Sequence, residues 1–436
     1  MKRLPIWLGC AWLVAALVVF GCGDSKTPPG GGTGGSGADG GSGGGTGGDA
    51  GSGGDGGGGS GGDAGSGGDG GGAGEVDLVI PGLDGPVEVA LDEQGVLHAS
   101  CRTDADCMRV LGYFHATNRF WQMDLQRRAA RGRLSTLIPG QGETDRFMRL
   151  FLSTPEGEPI EDVIWATIGG DLRSIIEAYT EGVNAWLADL RERRNGARLT
   201  EEYGAPLVTG TPASIPDWEP QDSVAFARLM TYLLSGSLEM EQALGKAFPK
   251  LPAEIAVDLF TLRPGMEVYS NHSHGSSIRA PASIDVRAVE ALQARLRPAE
   301  ALLAQGLASL PALDFLAPKG EPAGSNNWVV APRLTRDGKA ILANDPHLSL
   351  SNAPVWFFAE LDSKTDGEGT LHVAGATFPG APGFPIGRNE HVSWGATVAN
   401  YDVTDVYVEQ LNETGDAVIF QGGEVQLVSR TVEIGG

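Results

Sequence analysis

Gly324-Ser325-Asn326-Asn327-Trp328-Val329-Val330-Ala331-Pro332 is the stretch on which the fold turns. Two small residues close a segment rich in Ala, Pro, Arg and Leu, and a β-type run starts at once. On one reading this is a loop entering a strand. On the other, the Gly324–Ser325 bond is a point of self-cleavage. A cut there would give Ser325 a free α-amino group, whose unperturbed pKa of about 7.7–8.0 suits it to take the hydroxyl proton near neutrality. One residue would then hold both nucleophile and base. Donors facing an oxyanion would be the remaining requirement.

The chain differs on the two sides of this stretch. Downstream, strand-like runs dominate: Trp328–Ala331, Ala340–Ala343, Val355–Leu361, Leu371–Ala376, His391–Val398, Val406–Gln410, Ala417–Phe420 and Val425–Ile434. Gly, Pro, Asn and Asp punctuate them. Upstream, after short β-like pieces at Asp77–Ile80, Val87–Leu91 and Gly95–Ala99, the chain turns helical. Thr103 and Asp104 are N-cap types. In 170–193, Leu172, Ile175, Ile176, Tyr179, Val183, Trp186, Leu187 and Leu190 follow helical spacing without a miss. Gln221–Leu234, continuing past a break at Ser235-Gly236, Ala253–Leu262 and Val286–Leu310, interrupted by Pro298, also predict helices. Helices first and strands after give an α+β class. Residues 272–324 read as a connector rather than a core.

At the other end, 29 of the 45 residues from Gly30 to Gly74 are glycine, with almost no apolar side chains. Such a segment cannot offset its ordering entropy, so 23–75 is expected to be a disordered Gly/Ser/Asp-rich linker. Residues 1–22 place Lys2 and Arg3 before a mostly apolar run from Leu4 to Phe20. That order reads as an export signal rather than a spanning helix. Its ending, Val-Phe-Gly-Cys, resembles a bacterial lipoprotein cleavage box, which implies lipidation of Cys22. The expected location is a membrane-anchored lipoprotein facing the periplasm or cell surface. An uncleaved anchor or a plain signal peptide is the alternative. An exported body lies in an oxidising compartment, where Cys101 and Cys107, six positions apart beside a helix start, are expected to form a structural disulfide. Two buried free thiols are the alternative.

Charge and motifs exclude several functions. The formal net charge is −23, of which residues 1–74 hold −3, from three Lys/Arg and six Asp. A body at −20 repels polyanions, which counts against nucleic-acid binding. No P-loop, dinucleotide fingerprint, GxSxG elbow or HExxH occurs, and the cysteines lack zinc-ligand spacing to His. Among seven histidines, His115 lies between aromatic residues on a helix and reads as a satisfied core residue. His272 and His274 form an HxH pair that reads as an exposed loop.

Five blocks in order carry a resemblance. They are Leu111-Gly112-Tyr113-Phe114-His115-Ala116-Thr117-Asn118-Arg119-Phe120-Trp121-Gln122-Met123-Asp124, with Arg127-Arg128-Ala129-Ala130-Arg131-Gly132-Arg133-Leu134 after it; Trp218-Glu219-Pro220-Gln221-Asp222-Ser223; Gly324-Ser325-Asn326-Asn327-Trp328 with Asn344-Asp345-Pro346-His347-Leu348; Pro382-Gly383-Phe384-Pro385-Ile386-Gly387-Arg388-Asn389-Glu390 with Ser393-Trp394-Gly395; and Tyr401-Asp402-Val403-Thr404-Asp405-Val406-Tyr407. Together they resemble the penicillin acylase family of N-terminal-nucleophile (Ntn) hydrolases, over nearly all of 76–436.

The resemblance implies an αββα sandwich and a precursor that cuts itself. Residues 76–271 would be the α-chain region, 272–324 an excised spacer and 325–436 the start of the β chain, the two chains staying associated. Ser325 matches the nucleophile and Gly324–Ser325 the cleavage site. His347 falls where relatives orient the serine, and Val398 where a main-chain N–H serves the oxyanion hole. Glu241, Asp402, the Thr404 carbonyl and Asp405 match the ligands of a structural Ca²⁺, and hard oxygen donors suit that ion. Leu348 and Ile386 fall at acyl-pocket positions, and their aliphatic side chains favour an alkyl acyl group on a small N-acyl amide substrate. Family β chains are much longer than the 112 residues from Ser325 to Gly436. A second oxyanion donor, an asparagine, and an arginine near the nucleophile lie downstream in the family. The expectation is therefore a truncated record or broken gene, inactive alone. The alternative is a noncatalytic lipid-anchored remnant or binding module of acylase ancestry.

Overall fold

In the computed structural model, residues 78–235, 238, 245–260, 285–299, 324–348, 351–397 and 404–434 are described. Strand β1 (Glu88–Leu91) turns back into β2 (Leu97–Ser100), which leads into helix α1 (Asp104–Ala130). The Thr103 hydroxyl accepts from the Asp106 N–H at 3.1 Å, the N-cap bond expected of that residue type. Cys101 and Cys107 are disulfide-linked, with Cα atoms 5.5 Å apart, so the end of β2 is tied to the first turn of α1.

Helices α2 (Gly142–Phe151), α3 (Ile160–Thr167), α4 (Gly170–Glu192) and α5 (Pro220–Ser235) follow. The apolar stripe of α4 is buried as its spacing demands: Ile176, Tyr179, Val183, Trp186, Leu187 and Leu190 all lie inside. Each such side chain contributes roughly 1.5–3 kcal/mol by leaving water. Helix α4 ends at Arg193, whose φ of 55° places it in the left-handed region. Two glycines let α1 and α4 cross closely. A Cβ at Gly112 would collide with the Tyr179 carbonyl, and one at Gly182 with the Arg109 carbonyl. Met148 of α2 packs on Ala129, Ala225 and Leu229, and Trp165 of α3 on Ile176 and Val224. The sequence reading did not single out these two short helices.

Helices α6 (Ala253–Phe260) and α7 (Val286–Leu296) come next. Val289 of α7 packs with Ala253 and Ala256, and the Gln293 amide donates to the carbonyls of Phe248 and Leu251 at 2.7 and 2.9 Å. Part of the span read as a connector thus packs with α6 in a small core.

The strands β3 (Gly324–Val330), β4 (Ile341–His347), β5 (Phe357–Asp362), β6 (His372–Thr377), β7 (Ile386–Arg388), β8 (Ser393–Trp394), β9 (Ala417–Phe420) and β10 (Gly423–Gln426) complete the element order. The main sheet runs β1-β2-β5-β6-β7-β8. Within it β2 and β5 are parallel, with Leu97 opposite Ala359, and the other neighbours are antiparallel. Phe357, Ala359 and Leu361 alternate inward, while Phe358 is exposed and Glu360 and Asp362 are partly so. Strands β3 and β4 form their own antiparallel ribbon, as do β9 and β10. The mixed α and β content agrees with the sequence reading, but four strand expectations do not. Residues 78–80 form no strand, the described part of His391–Val398 reduces to Ser393–Trp394, Val425–Ile434 stops at Gln426, and 406–410 forms no strand. Val406, Tyr407 and Val408 have suitable residue types, but no strand is formed there.

Among the described residues, no helix is long and apolar enough to cross a membrane. The expected signal, linker and HxH pair, Asp77 and the helix residues past Phe260 lie outside the described residues, as does most of the continuation past Ser235, of which Leu238 and 245–247 are described and helical.

Candidate active site

In the ribbon β3–β4 the expected nucleophile and its expected partner stand at adjacent register positions. Its register sets Gly324 opposite His347 and Ser325 opposite Pro346. A Cβ at Gly324 would stand 2.6 Å from His347 Nε2, so the imidazole lies against the residue that precedes the serine. His347 Nδ1 hydrogen-bonds the Asp345 carbonyl at 3.0 Å. Donating there leaves Nε2, the nitrogen nearer Gly324, as the acceptor.

A second piece of backbone meets the ribbon. The Asn344 side chain donates to the Asn326 carbonyl at 2.8 Å and the Ala396 carbonyl at 3.1 Å, and accepts from the Ala396 N–H at 2.9 Å. Asn344 and Gly395 stood inside motif blocks, yet residue types alone gave no signal of this contact. The other expected site residues are more dispersed. Leu348 follows His347 directly, at the end of β4. Ile386 belongs to the main sheet, opposite Ala376. Val398, Glu241, Asp402 and Cys22 lie outside the described residues. Of the expected Ca²⁺ ligands, Thr404 and Asp405 are described, and Asp405 Oδ2 accepts from the Tyr407 hydroxyl at 3.3 Å. Three carboxylates and a carbonyl are hard donors whose chemistry fits Ca²⁺. Among the described residues, no group of three or more His, Cys, Asp or Glu forms a metal cluster.

His115 belongs to the scaffold. Gly380 N–H donates to the Tyr179 hydroxyl at 3.0 Å, and that hydroxyl lies 2.9 Å from His115 Nδ1. On the other side, Nε2 lies 2.8 Å from the Thr377 hydroxyl, which donates to the Phe357 carbonyl at 2.8 Å. The chain of donors makes Nδ1 the acceptor and Nε2 the N–H. Burial, with the Arg119 charge nearby, pushes the imidazole down to about 3. It is neutral and fully partnered, as a core histidine should be.

Two further motif blocks have a structural explanation. Arg127 donates to Asp124 at 2.8 Å, Asp222 at 3.1 Å and the carbonyls of Pro216 and Asp217, while its guanidinium lies 4.9 Å from the Trp218 ring centre. Arg131 reaches Asp222 at 2.9 Å and also pairs with Glu219. Burial would raise the Asp124 carboxyl, but Arg127 and Arg128 beside it outweigh that and hold it below its usual value. The arginine-rich end of α1 and the Trp218–Ser223 turn are therefore one buried charge network.

A curated penicillin acylase 2 proenzyme from Pseudomonas sp. (strain SE83) is 33% identical over 354 residues, covering 81% of this chain and 41% of that protein. The acyl-homoserine lactone acylase QuiP of Pseudomonas aeruginosa is 27% identical, covering 78% of this chain and 36% of that protein. A penicillin G acylase from Escherichia coli is 24% identical, covering 79% and 42%. The chain thus spans about two fifths of the length of these curated relatives. The family profile described as penicillin amidase matches residues 86–435. By that match the chain belongs to the penicillin amidase family.

Proposed function

We propose that this chain carries the nucleophile of a self-processing amide hydrolase. Ser325 Oγ attacks the Gly324 carbonyl, the Gly324–Ser325 C–N bond breaks as an ester forms, and the hydroxyl proton passes to the departing nitrogen. Water hydrolyses the ester and leaves Ser325 with a free amine. In turnover that amine takes the Oγ proton as Oγ attacks the carbonyl of an N-acyl amide. The amine product leaves with the proton, and water then releases the acid from the acyl-enzyme. His347 orients the serine, and the Val398 main-chain N–H serves the oxyanion. The observation that carries this reading is the register placing Gly324 opposite His347.

The finer parts belong to the same proposal. The main sheet is one layer of an Ntn-hydrolase αββα sandwich. Glu241, Asp402, the Thr404 carbonyl and Asp405 would hold a structural Ca²⁺, whose chemistry is to clamp oxygen ligands from both sides of the cut. Leu348 and Ile386 favour an aliphatic acyl group, by only about 1–3 kcal/mol per methylene-sized difference. Export, with lipidation at Cys22, anchors the body at a membrane through the linker. Two of the relatives' names, penicillin acylase and acyl-homoserine lactone acylase, support N-acyl amides as the substrate class.

Intact mass and N-terminal sequencing of the purified exported chain test the proposal. The expected product begins Ser325-Asn326-Asn327, and Ser325→Ala stays uncut. Hydrolysis, where measured, should rise with pH as the α-amine loses its proton, around the unperturbed value of about 7.7–8.0. A single uncut wild-type chain, or cleavage that persists in Ser325→Ala, would overturn it.

A further inference from the structure

Asn344 lies on β4 opposite Asn327, and its amide joins two pieces of backbone that no ladder joins. Among the described residues, strands β3 and β4 pair only with each other, and β8 is the edge of the main sheet. Across that gap, Nδ2 and Oδ1 of Asn344 make a two-bond ring with the carbonyl and N–H of Ala396, much as a strand neighbour would. Nδ2 also reaches the Asn326 carbonyl, one residue after Ser325. Gly395 shows how close the approach is. A Cβ there would lie 2.7 Å from Asn327 Nδ2 and 2.9 Å from Asn344 Cγ and Oδ1. The segment after β8 therefore has no room to move toward the ribbon, and the Asn344 bonds keep it from moving away.

We infer that Asn344 is a positioning residue, fixing the strand that carries Ser325 against the segment Ser393–Ala396. The inference rests on the proposed role of Ser325. In sequence, Ala396 stands two residues before Val398, so these bonds also set where the backbone toward the oxyanion donor begins. A carboxamide is suited to the task because it offers both an acceptor and two donors. An apolar side chain offers neither, and an ionised aspartate keeps only the acceptor.

Amide hydrogen exchange on the full chain tests this, comparing wild type with Asn344→Ala and Asn344→Asp. In Asn344→Ala, exchange at Ala396 should quicken about tenfold, the scale of one lost net hydrogen bond, with amides of α1 and α4 unchanged. In Asn344→Asp, Ala396 should stay protected while β3 amides exchange faster. Both variants should slow the Gly324–Ser325 cut, Asn344→Asp, which keeps the acceptor, less than Asn344→Ala. Wild-type protection at Ala396 in Asn344→Ala would overturn the inference, as would faster exchange with undiminished cleavage. An uncut wild-type chain would overturn the nucleophile reading, and Asn344 would then stand or fall on exchange at Ala396 alone.

Discussion

The crossing of α1 with α4 and the ribbon β3–β4 face water very differently. Along α1, His115, Asp124 and Arg127 are buried with their hydrogen bonds met, and Phe120 packs on Trp186 of α4 with ring centres 4.7 Å apart. On the ribbon, Trp328 is 65% exposed and its neighbour Val329 71%, although successive strand residues point to opposite faces. Both faces are thus open there, and a two-stranded ribbon alone is marginal. The scaffold holds itself by burial. The strand bearing Ser325 is held by its ladder and by the Asn344 contacts.

Substitutions should separate the two regions sharply. The largest effect is expected from Arg127→Ala, which leaves Asp124 and Asp222 buried beside an empty space. Breaking a buried pair in this way costs about 3–5 kcal/mol, readable as a fall in denaturant midpoint. A stability loss under 1 kcal/mol would mean that the network is not what holds α1 to the Trp218 turn. Next comes the Cys101–Cys107 link. Its loop is short, so the chain-entropy estimate is about 2 kcal/mol, checked by Cys101→Ser with Cys107→Ser under oxidising conditions.

Acid should also find the scaffold first. His115 stays neutral when folded down to about 3, whereas the unfolded chain takes up a proton below its ordinary value of 6.5. The unfolded state therefore binds more protons between these limits. The contribution of His115 is fully present above 6.5 and falls by about 1.4 kcal/mol per pH unit below it. A denaturation series from pH 7 to 4 should show that slope, reduced in His115→Gln. The smallest effect is expected on the ribbon. Trp328→Ser should change stability by no more than about 0.5 kcal/mol, as surface substitutions do. A larger loss would show that the ribbon is covered in solution.

The same contrast explains what could be read from the sequence. Helix α4 was legible because one face must repeat at helical spacing to be buried, and Ile176 to Leu190 do so without interruption. His115 was legible because its neighbours are aromatic. Strand His391–Val398 was not, since among its described residues only Ser393 and Trp394 find a ladder partner, and pairing is decided by distant residues. Helices α2 and α3 are too short for periodicity to stand out, and their burial rests on contacts from Ala225, Ile176 and Val224. For the site, Ser325 and His347 came from motif likeness, while their juxtaposition needed the register. Asn344 acts through its side chain on backbone 52 positions away, which no local pattern encodes.

The parallel pairing of β2 with β5 bears on when a cut could happen. Leu97 to Ser100 come from before the proposed scissile bond and Ala359 to Asp362 from after it, and His115 meets Thr377 across 262 positions. Contacts so distant in sequence form late and slowly, because the loop between them must first be closed. A chain cut before that closure would have to find its other half by diffusion. A chain cut afterwards would already be interleaved. The interleaving therefore favours a bond that would break only once folding is complete, and would make the proposed break a record that folding succeeded.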